Sequence, residues 1–378
     1  MKATEHIVTL DKTLNLNVIA YPIELSADGR FVAFVKSPLG EVGIADVETG
    51  EIRYVQISQS NHFTGISSLA WSRDGLKLAV VNARNLLVAS TSDLKTIFRL
   101  NADSNYYMAG PMAFANDGNS IFVQCVAKKG TLVARVDLAS STVTPVIAEP
   151  RVGDVAAYAA SGRFQRVGDG LIFETVPIYA FGNKEVKSFD RKHEPTGIIL
   201  GDGRYRSYFF SVLPEVKELF LIELADTSER GIDDSGVART PSNCALSPAN
   251  DLAVVFYSAA SKLPWMDIDE SKDKSFEVYD IRSKHRVAAF GGYGAPETNW
   301  ITSYVIHPVK TWAMTIARKA TSADGWIVGM VTVWDLKTGA ALQRVEIPEG
   351  PLKAMLTEDG KRLVVSMSGS HLLIFKVS

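Results

Sequence analysis

Cysteine is nearly absent from this chain of 378 residues, which has only Cys125 and Cys244. Two cysteines can build neither a disulfide framework nor a four-cysteine zinc site, so the fold must be stable without either. Each cysteine lies inside an apolar, strand-like run, IFVQCVA or SNCALS. We therefore expect two buried free thiols.

The chain also lacks an excess of charge of one sign and any long hydrophobic run. Its 40 basic residues oppose 42 acidic ones, and no basic block could neutralise several phosphates at once. In the first residues, MKATEHIVTLDKTLNLNV, Asp and Asn interrupt the apolar runs, unlike a signal peptide or a membrane span. We expect a cytosolic protein that binds neither nucleic acid nor membranes.

Sequence motifs for catalysis or metal binding are missing as well. No Gly-x-Ser-x-Gly elbow occurs, and the six histidines form no pair at i, i+4 and no cluster with cysteine. Asp267, Asp269, Ser271 and Asp273 have the alternate spacing of calcium ligands, but Lys272 replaces the glycine that the turn requires. We predict no catalytic residue, metal or cofactor, although a site assembled from distant segments stays open.

The sequence is rich in a repeated pattern. The segment IELSADGRFVAFV returns as SLAWSRDGLKLAVV, MAFANDGNSIFVQC and KAMLTEDGKRLVVS. In each, two apolar runs flank an Asp-Gly turn, which is typical of a hairpin because glycine readily adopts the positive φ of a tight turn. Gly29, Gly75 and Gly118 recur at close to the roughly 40 to 45 residues of a four-stranded propeller blade.

A second hairpin follows each of these units. ADVETGEIRYV, VDLASSTVTPVI, VYDIRSKHRVAAF and VWDLKTGAALQRV all contain a strand, an Asp, a polar turn and another strand. A full repeat therefore has four strands, here named a, b, c and d in chain order. The a–b and c–d turns of such a repeat share one face, and the b–c and d–a connections share the other.

These repeats resemble those of the WD-repeat β-propeller family. Trp334-Asp335 is the family's signature dipeptide, for which the resemblance implies a structural role, and Tyr279-Asp280, Ala45-Asp46 and Val136-Asp137 occupy the matching place. His62, before LAWSRDG, matches the family's histidine, for which the resemblance implies a structural role beside neighbouring strands. The resemblance implies an all-β fold, a single β-propeller domain of four-stranded antiparallel blades over residues 1–378.

Ring closure and blade number follow from counting. The last repeat has a, b and c strands but no d strand, and EHIVTL at residues 5–10 is suited to supply it. Turns near residues 29, 75, 118, 170, 216, 250, 310 and 360 suggest eight blades, but the interval from 216 to 250 is short. We predict seven blades with an expanded region at 176–240, and keep eight as the alternative.

The longest connections fall on one face. The b–c connections include 176–185, a long loop at 258–275, and 317–326, while 58–65, 101–111 and 291–300 are d–a connections. Aromatic, methionine and acidic side chains on these segments predict a surface that binds protein partners. The candidate residues are Tyr106, Tyr107, Tyr179, Phe181, Trp265, Met266, Asp267, Asp269, Glu270, Tyr293, Trp300 and Trp326, with Met108 beside them.

The predicted function is a non-enzymatic platform for protein–protein interaction, with Trp265 as the main anchor and the acidic residues around it facing a basic partner. Two alternatives remain open. One is a lactonase-like propeller that binds or hydrolyses a small molecule at the mouth of its channel. The other is a structural subunit of a fixed assembly that docks through 176–240. The sequence identifies neither the partner nor the oligomeric state.

Overall fold

The computed structural model describes most of the chain, and the account below is confined to the described residues. They are residues 6–20, 22–37, 41–56, 66–82, 85–101, 106–127, 130–148, 163–167, 170–174, 206–211, 220–223, 240–247, 249, 251–258, 274–280, 286–292, 300–320, 327–348 and 350–378. In this part of the chain the only regular structure is β-sheet, arranged as seven four-stranded antiparallel sheets. No described helix is long and apolar enough to cross a membrane.

Each sheet is one blade, formed by strands that are consecutive in the chain except in the seventh. Blade 1 contains β2 (Ile23–Leu25), β3 (Phe31–Ser37), β4 (Glu41–Asp46) and β5 (Ile52–Gln56). Blade 2 contains β6 (Ile66–Trp71), β7 (Lys77–Asn82), β8 (Asn85–Ser90) and β9 (Thr96–Asn101). Blade 3 contains β10 (Tyr106–Phe114), β11 (Ser120–Ala127), β12 (Gly130–Asp137) and β13 (Val143–Ala148).

The next three blades repeat this order. Blade 4 contains β14 (Arg163–Val167), β15 (Gly170–Glu174), β16 (Arg206–Ser211) and β17 (Phe220–Glu223). Blade 5 contains β18 (Thr240–Leu246), β19 (Leu252–Ser258), β20 (Lys274–Asp280) and β21 (Arg286–Gly292). Blade 6 contains β22 (Trp300–Ile306), β23 (Trp312–Ala320), β24 (Ile327–Asp335) and β25 (Ala341–Ile347).

Blade 7 joins the two ends of the described chain. Its a, b and c strands are β26 (Pro351–Leu356), β27 (Arg362–Met367) and β28 (His371–Val377), and its outermost strand is β1 (Val8–Asn15). β1 pairs antiparallel with β28, from Val8 opposite Val377 to Asn15 opposite His371. The predicted closure by an N-terminal strand is confirmed, but this strand extends to Asn15, well beyond the predicted residues 5–10.

The prediction of seven blades is confirmed, because the turn near residue 216 does not begin a new sheet. β16 pairs with β17 from Arg206 opposite Glu223 to Phe209 opposite Phe220. That turn therefore lies between the c and d strands of blade 4, inside the segment predicted to be expanded. An a–b hairpin and a c–d hairpin look alike in sequence, which is why counting turns suggested an eighth blade.

The hydrophobic core lies between the blades. Buried clusters join blades 1 and 2, 2 and 3, 5 and 6, 6 and 7, and 7 and 1, so side chains from adjacent sheets interdigitate. Strand contacts of β10 with β14 and of β15 with β18 complete the ring through blade 4. Cys125 is buried in the cluster between blades 2 and 3, as predicted, and burial raises the pKa of its thiol to about 12.

Burial along the strands follows from this ring. The b and c strands have neighbours on both faces, so β7 and β8 contain continuous buried runs. The outer d strands are exposed on one side and alternate, as in β25, where Ala341–Ile347 alternates between partly buried and exposed positions before ending buried. Trp71 and Trp334 are buried in strands, and Trp312 is partly buried.

Candidate interaction face

The two faces of the ring are built differently. The short-turn face carries the a–b and c–d turns, and the loop-rich face carries the b–c and d–a connections. On the short-turn face the chain reverses within a few residues, as at Ser26–Gly29, where the Gly29 amide donates to the Ser26 carbonyl over 2.9 Å. Gly29, Gly75, Gly118 and Gly360 all have positive φ, which confirms the predicted Asp-Gly turns.

Side chains in the a–b turns form hydrogen bonds with one another and with the backbone of the same turn. The Ser72 hydroxyl donates to Asp74 over 2.6 Å and accepts the Lys77 amide over 2.8 Å, while Asp74 also accepts the Leu76 amide over 2.9 Å. The turns at Ser26 and Thr357 have the same pattern. These polar groups therefore serve the turn itself.

In blades 1, 3 and 6 the c–d turn is capped by the aspartate that ends the c strand. The Asp335 carboxylate accepts the amides of Lys337 and Thr338 over 3.0 and 2.8 Å. Asp46 and Asp137 do the same in blades 1 and 3. The pKa of Asp137 lies below its usual value because the Ser140 amide and hydroxyl donate to the carboxylate. The predicted structural role of Asp335 is thus seen in the turn.

Three of the b–c connections on the loop-rich face are longer than the turns at 26–30 and 72–76 on the other face, as the strand ends show. Residues 175–205 separate β15 from β16, residues 259–273 separate β19 from β20, and residues 321–326 separate β23 from β24. All three are b–c connections, as predicted. Their predicted bounds were too wide in two places, because Ser258, Lys274 and Ser275 belong to strands and Ala317–Ala320 continue β23.

Most of the predicted site residues lie outside the described residues. These are His62, Tyr179, Phe181, Trp265, Met266, Asp267, Asp269, Glu270, Tyr293 and Trp326. Their roles stay predictions.

Three of the predicted aromatic residues begin strands. Tyr106 and Tyr107 pair with Ala127 and Val126, and Trp300 pairs with Arg318, so their placement on connections was wrong. Met108 is fully buried between blades 2 and 3, so its placement on the exposed face was wrong too. β10 and β22 begin earlier than their apolar patterns indicate because their b-strand partners extend the pairing. The three aromatic residues thus lie where inner strands reach the loop-rich face.

Irregular pairing recurs at this end of the a strands. The register shifts at Ser67 in β6, Ser242 in β18, Thr302 in β22 and Leu352 in β26. The Ser67 and Thr302 hydroxyls each donate to a b-strand carbonyl over 3.3 Å, to Val81 and Ile316 respectively. Bulges of this kind bend the strand and redirect its side chains.

An ion pair joins the a strands of blades 1 and 7. The Lys353 ammonium lies 3.1 Å from the Glu24 carboxylate and donates to the Ile23 carbonyl over 2.8 Å. The Trp71 indole of blade 2 donates to the Glu24 carbonyl over 3.1 Å. Lys353 therefore links the a strands of blades 7 and 1.

Other charged groups in the described blades are also paired. The Glu277 carboxylate, buried in blade 5, accepts the Tyr279 hydroxyl over 2.6 Å and the Arg286 guanidinium over 2.9 Å. Within the described part of the chain, His, Cys, Asp and Glu form no group of three that could hold a metal ion.

The solved structures include a relative of this ring. The β-propeller domain of Cps50 (Swd1) from Myceliophteria thermophila superposes with a TM-score of 0.56 and 12% sequence identity, covering 98% of this chain and 100% of that one. The described residues form a seven-bladed β-propeller. The predicted β-propeller fold is thereby confirmed. No protein-family model and no curated protein matches the sequence.

One exposed residue of the propeller's loop-rich face was not predicted. Ile19 lies on the connection from β1 to β2 and is 61% exposed. The connection is held in place because Leu16 and Ala20 are buried and the Leu16 amide donates to the Ser370 carbonyl over 2.9 Å. The signal in the sequence was the turn-forming Asn17, which has positive φ, two residues before an isoleucine.

Proposed function

We propose that this propeller is a non-enzymatic platform that binds a protein partner through its loop-rich face. The asymmetry between the two faces carries the proposal. On the short-turn face the polar groups of the turns bond to one another, while the long b–c connections all emerge on the opposite side. Long connections on a rigid scaffold are where binding residues concentrate. The likeness to a WD-repeat propeller supports a scaffold of this general kind.

Trp265 is the proposed anchor of the partner. It lies in the connection between β19 and β20, next to Met266, Asp267 and Asp269. A tryptophan buries a large area on binding, and adjacent carboxylates attract a basic surface and speed encounter. We propose a partner with a basic surface around an apolar pocket, met in the cytosol.

The test is affinity capture from the native cytosol with matched variants on the two faces. The loop-rich variant is Trp265→Ala/Met266→Ala. The control is Leu76→Ala/Val309→Ala, which removes two side chains from the short-turn face that are 60% and 69% exposed. We expect wild type and the control to retain the same proteins, and the loop-rich variant to lose at least one by more than tenfold.

Other outcomes would redirect the proposal. Partners lost only by the control would place the binding surface on the short-turn face. No partner, together with a stoichiometric metal or a small molecule in the purified protein, would favour the channel-mouth enzyme. A partner that is lost only when 176–205 is replaced by a short linker would favour a subunit of a fixed assembly.

A further inference from the structure

The a–b turn of blade 6 departs from the repeat. His307 stands where Ser26, Ser72, Ser247 and Thr357 stand in other blades. In all of these turns the residue donates its backbone amide to the carbonyl five positions on, as His307 does to Trp312 over 2.9 Å. The serine and threonine hydroxyls accept the amide five positions on, whereas the His307 imidazole accepts the amides two and three positions on.

The imidazole accepts two hydrogen bonds at one nitrogen. The amides of Val309 and Lys310 approach His307 Nδ1 at 3.1 and 3.0 Å. An imidazole nitrogen accepts only while it carries a lone pair, so Nδ1 must be unprotonated. Protonation would place a donor against two donors and leave both amides without an acceptor.

The ring has no room to turn away. His307 is only 3% exposed, and its neighbour across the joint is Gly360 in the a–b turn of blade 7. A Cβ at Gly360 would lie only 2.3 Å from the His307 Cε1 atom, so the backbone passes directly against the imidazole. Trp312 packs edge-to-face on the other side, with ring centroids 5.6 Å apart. Packing therefore fixes which nitrogen faces the amides.

Two charged groups face the ring, one from each blade. Burial lowers the pKa of His307 to about 4; Lys310 acts in the same direction, whereas Asp359 of blade 7 opposes it. The Lys310 ammonium is held over the Trp312 ring at 4.2 Å. It also donates to the main-chain oxygen of Ser378, so the same lysine links the turn to blade 7.

We propose that His307 makes the joint between blades 6 and 7 sensitive to acid, because its protonation withdraws the acceptor that orders the turn packed against Gly360. Between pH 6.5 and about 4 the folded protein keeps the His307 ring neutral, whereas the unfolded chain, in which the histidine has its ordinary pKa of 6.5, binds a proton. The contribution to stability is full above pH 6.5 and is lost as pH falls toward 4. Between these two values the folding equilibrium constant decreases by up to about tenfold for each unit by which the pH falls.

Three variants separate protonation from packing. His307→Ser restores the hydroxyl used by other blades and removes the titrating ring. Lys310→Gln keeps the ring and removes the cation that disfavours its protonation. His371→Asn removes a histidine from the loop-rich face of blade 7. It is the control for losing a histidine outside the a–b turn of blade 6. Urea unfolding from pH 7.5 to 4.5 and amide hydrogen exchange of the 301–320 and 351–366 peptides provide the measurements.

We expect the unfolding midpoint of wild type to fall more steeply between pH 6.5 and 4.5 than that of His307→Ser. Lys310→Gln should give an intermediate slope, and His371→Asn should follow wild type. Exchange in the two peptides should rise with acid in wild type more than in His307→Ser, after correction for intrinsic rates. Equal slopes and equal exchange in wild type and His307→Ser would overturn the proposal, as would a Lys310→Gln slope as steep as that of wild type.

Discussion

Gly339 and Gly50 end equivalent c–d turns, in blades 6 and 1, but their surroundings differ. Both have positive φ, and Leu94 and Ser141 adopt the same conformation at this position in blades 2 and 3. A side chain is therefore tolerated there when space allows. A Cβ at Gly339 would lie 2.7 Å from the Ala289 carbonyl oxygen of blade 5, whereas at Gly50 the nearest atom is Leu14 Cδ1 at 3.5 Å.

We predict that Gly339→Ala is more destabilising than Gly50→Ala. Each pays about 1 kcal/mol for a left-handed alanine. Gly339→Ala must also displace the backbone of blade 5, which adds about 2 kcal/mol. Urea unfolding of the two variants measures the difference, with Gly50→Ala as the control for backbone conformation. Equal losses would show that the joint between blades 5 and 6 adjusts freely.

The residue scale also shows what local sequence encodes. Asp-Gly at 28–29 and 74–75 predicted tight turns correctly, because glycine's tolerance of positive φ is a local property. The role of His307 was not predicted, since it depends on the backbone of Gly360 in another blade. A signal was present: His307 precedes Trp312 by the spacing that separates Ser26 from Phe31. Sequence alone could not show that an imidazole nitrogen replaces the hydroxyl.

Within blade 6, one buried hydrogen bond joins two strands. The Trp334 indole of β24 donates to the Thr315 hydroxyl of β23 over 2.8 Å, and its ring stacks on Phe290 of blade 5 at 5.1 Å. Both residues are buried. The signature tryptophan thus ties the b and c strands together and contacts the preceding blade, which gives its predicted structural role a physical basis.

We predict that Trp334→Phe and Thr315→Val are coupled. Each change leaves a buried polar group without its partner, at a cost of about 1–3 kcal/mol. The double variant removes both groups, so its loss should fall short of the sum by more than about 0.5 kcal/mol. A double-mutant cycle in urea measures the coupling. Strict additivity would mean that the tryptophan acts through packing alone.

Element boundaries were predictable where the pattern is local. The order a to d, the face of each connection and the closure by an N-terminal strand all followed from repeated turns. The starts of β10 and β22 did not, because pairing of Tyr106 with Ala127 and of Trp300 with Arg318 extends those strands past their apolar cores. For the candidate site, the sequence located the long b–c connections, while Trp265 and its neighbours lie outside the described residues.

At the scale of the whole molecule, a side chain supplements the pairing that closes the ring. The Gln343 amide of β25 donates to the Val8 carbonyl over 2.8 Å and accepts the Val8 amide over 2.7 Å. The side chain therefore pairs with β1 as a short piece of strand would. This contact connects the outer strands of blades 6 and 7. It adds to the backbone pairing of β1 with β28 within blade 7.

We predict that Gln343→Ala destabilises the propeller by about 1–2 kcal/mol, because two backbone groups of Val8 lose their partner. Arg344→Ala, an exposed position on the same strand, is the control and should stay within about 0.5 kcal/mol of wild type. Thermal unfolding of both variants provides the comparison. A Gln343→Ala protein as stable as the control would show that β28 alone secures β1.

The outer strands carry irregularities that act beyond a single molecule. Register shifts interrupt the pairing of β1, β9, β13, β21 and β25. Near three of them an apolar side chain, Ile97, Val287 or Leu342, points into solvent. Each of the seven sheets has an outer edge strand whose outward backbone N–H and C=O groups are not paired within the sheet. A straight edge strand of this kind is a template on which another chain can add a strand. Each register shift shortens the straight length of edge strand with which another chain could pair. The exposed outer strands are therefore poor templates for fibre growth.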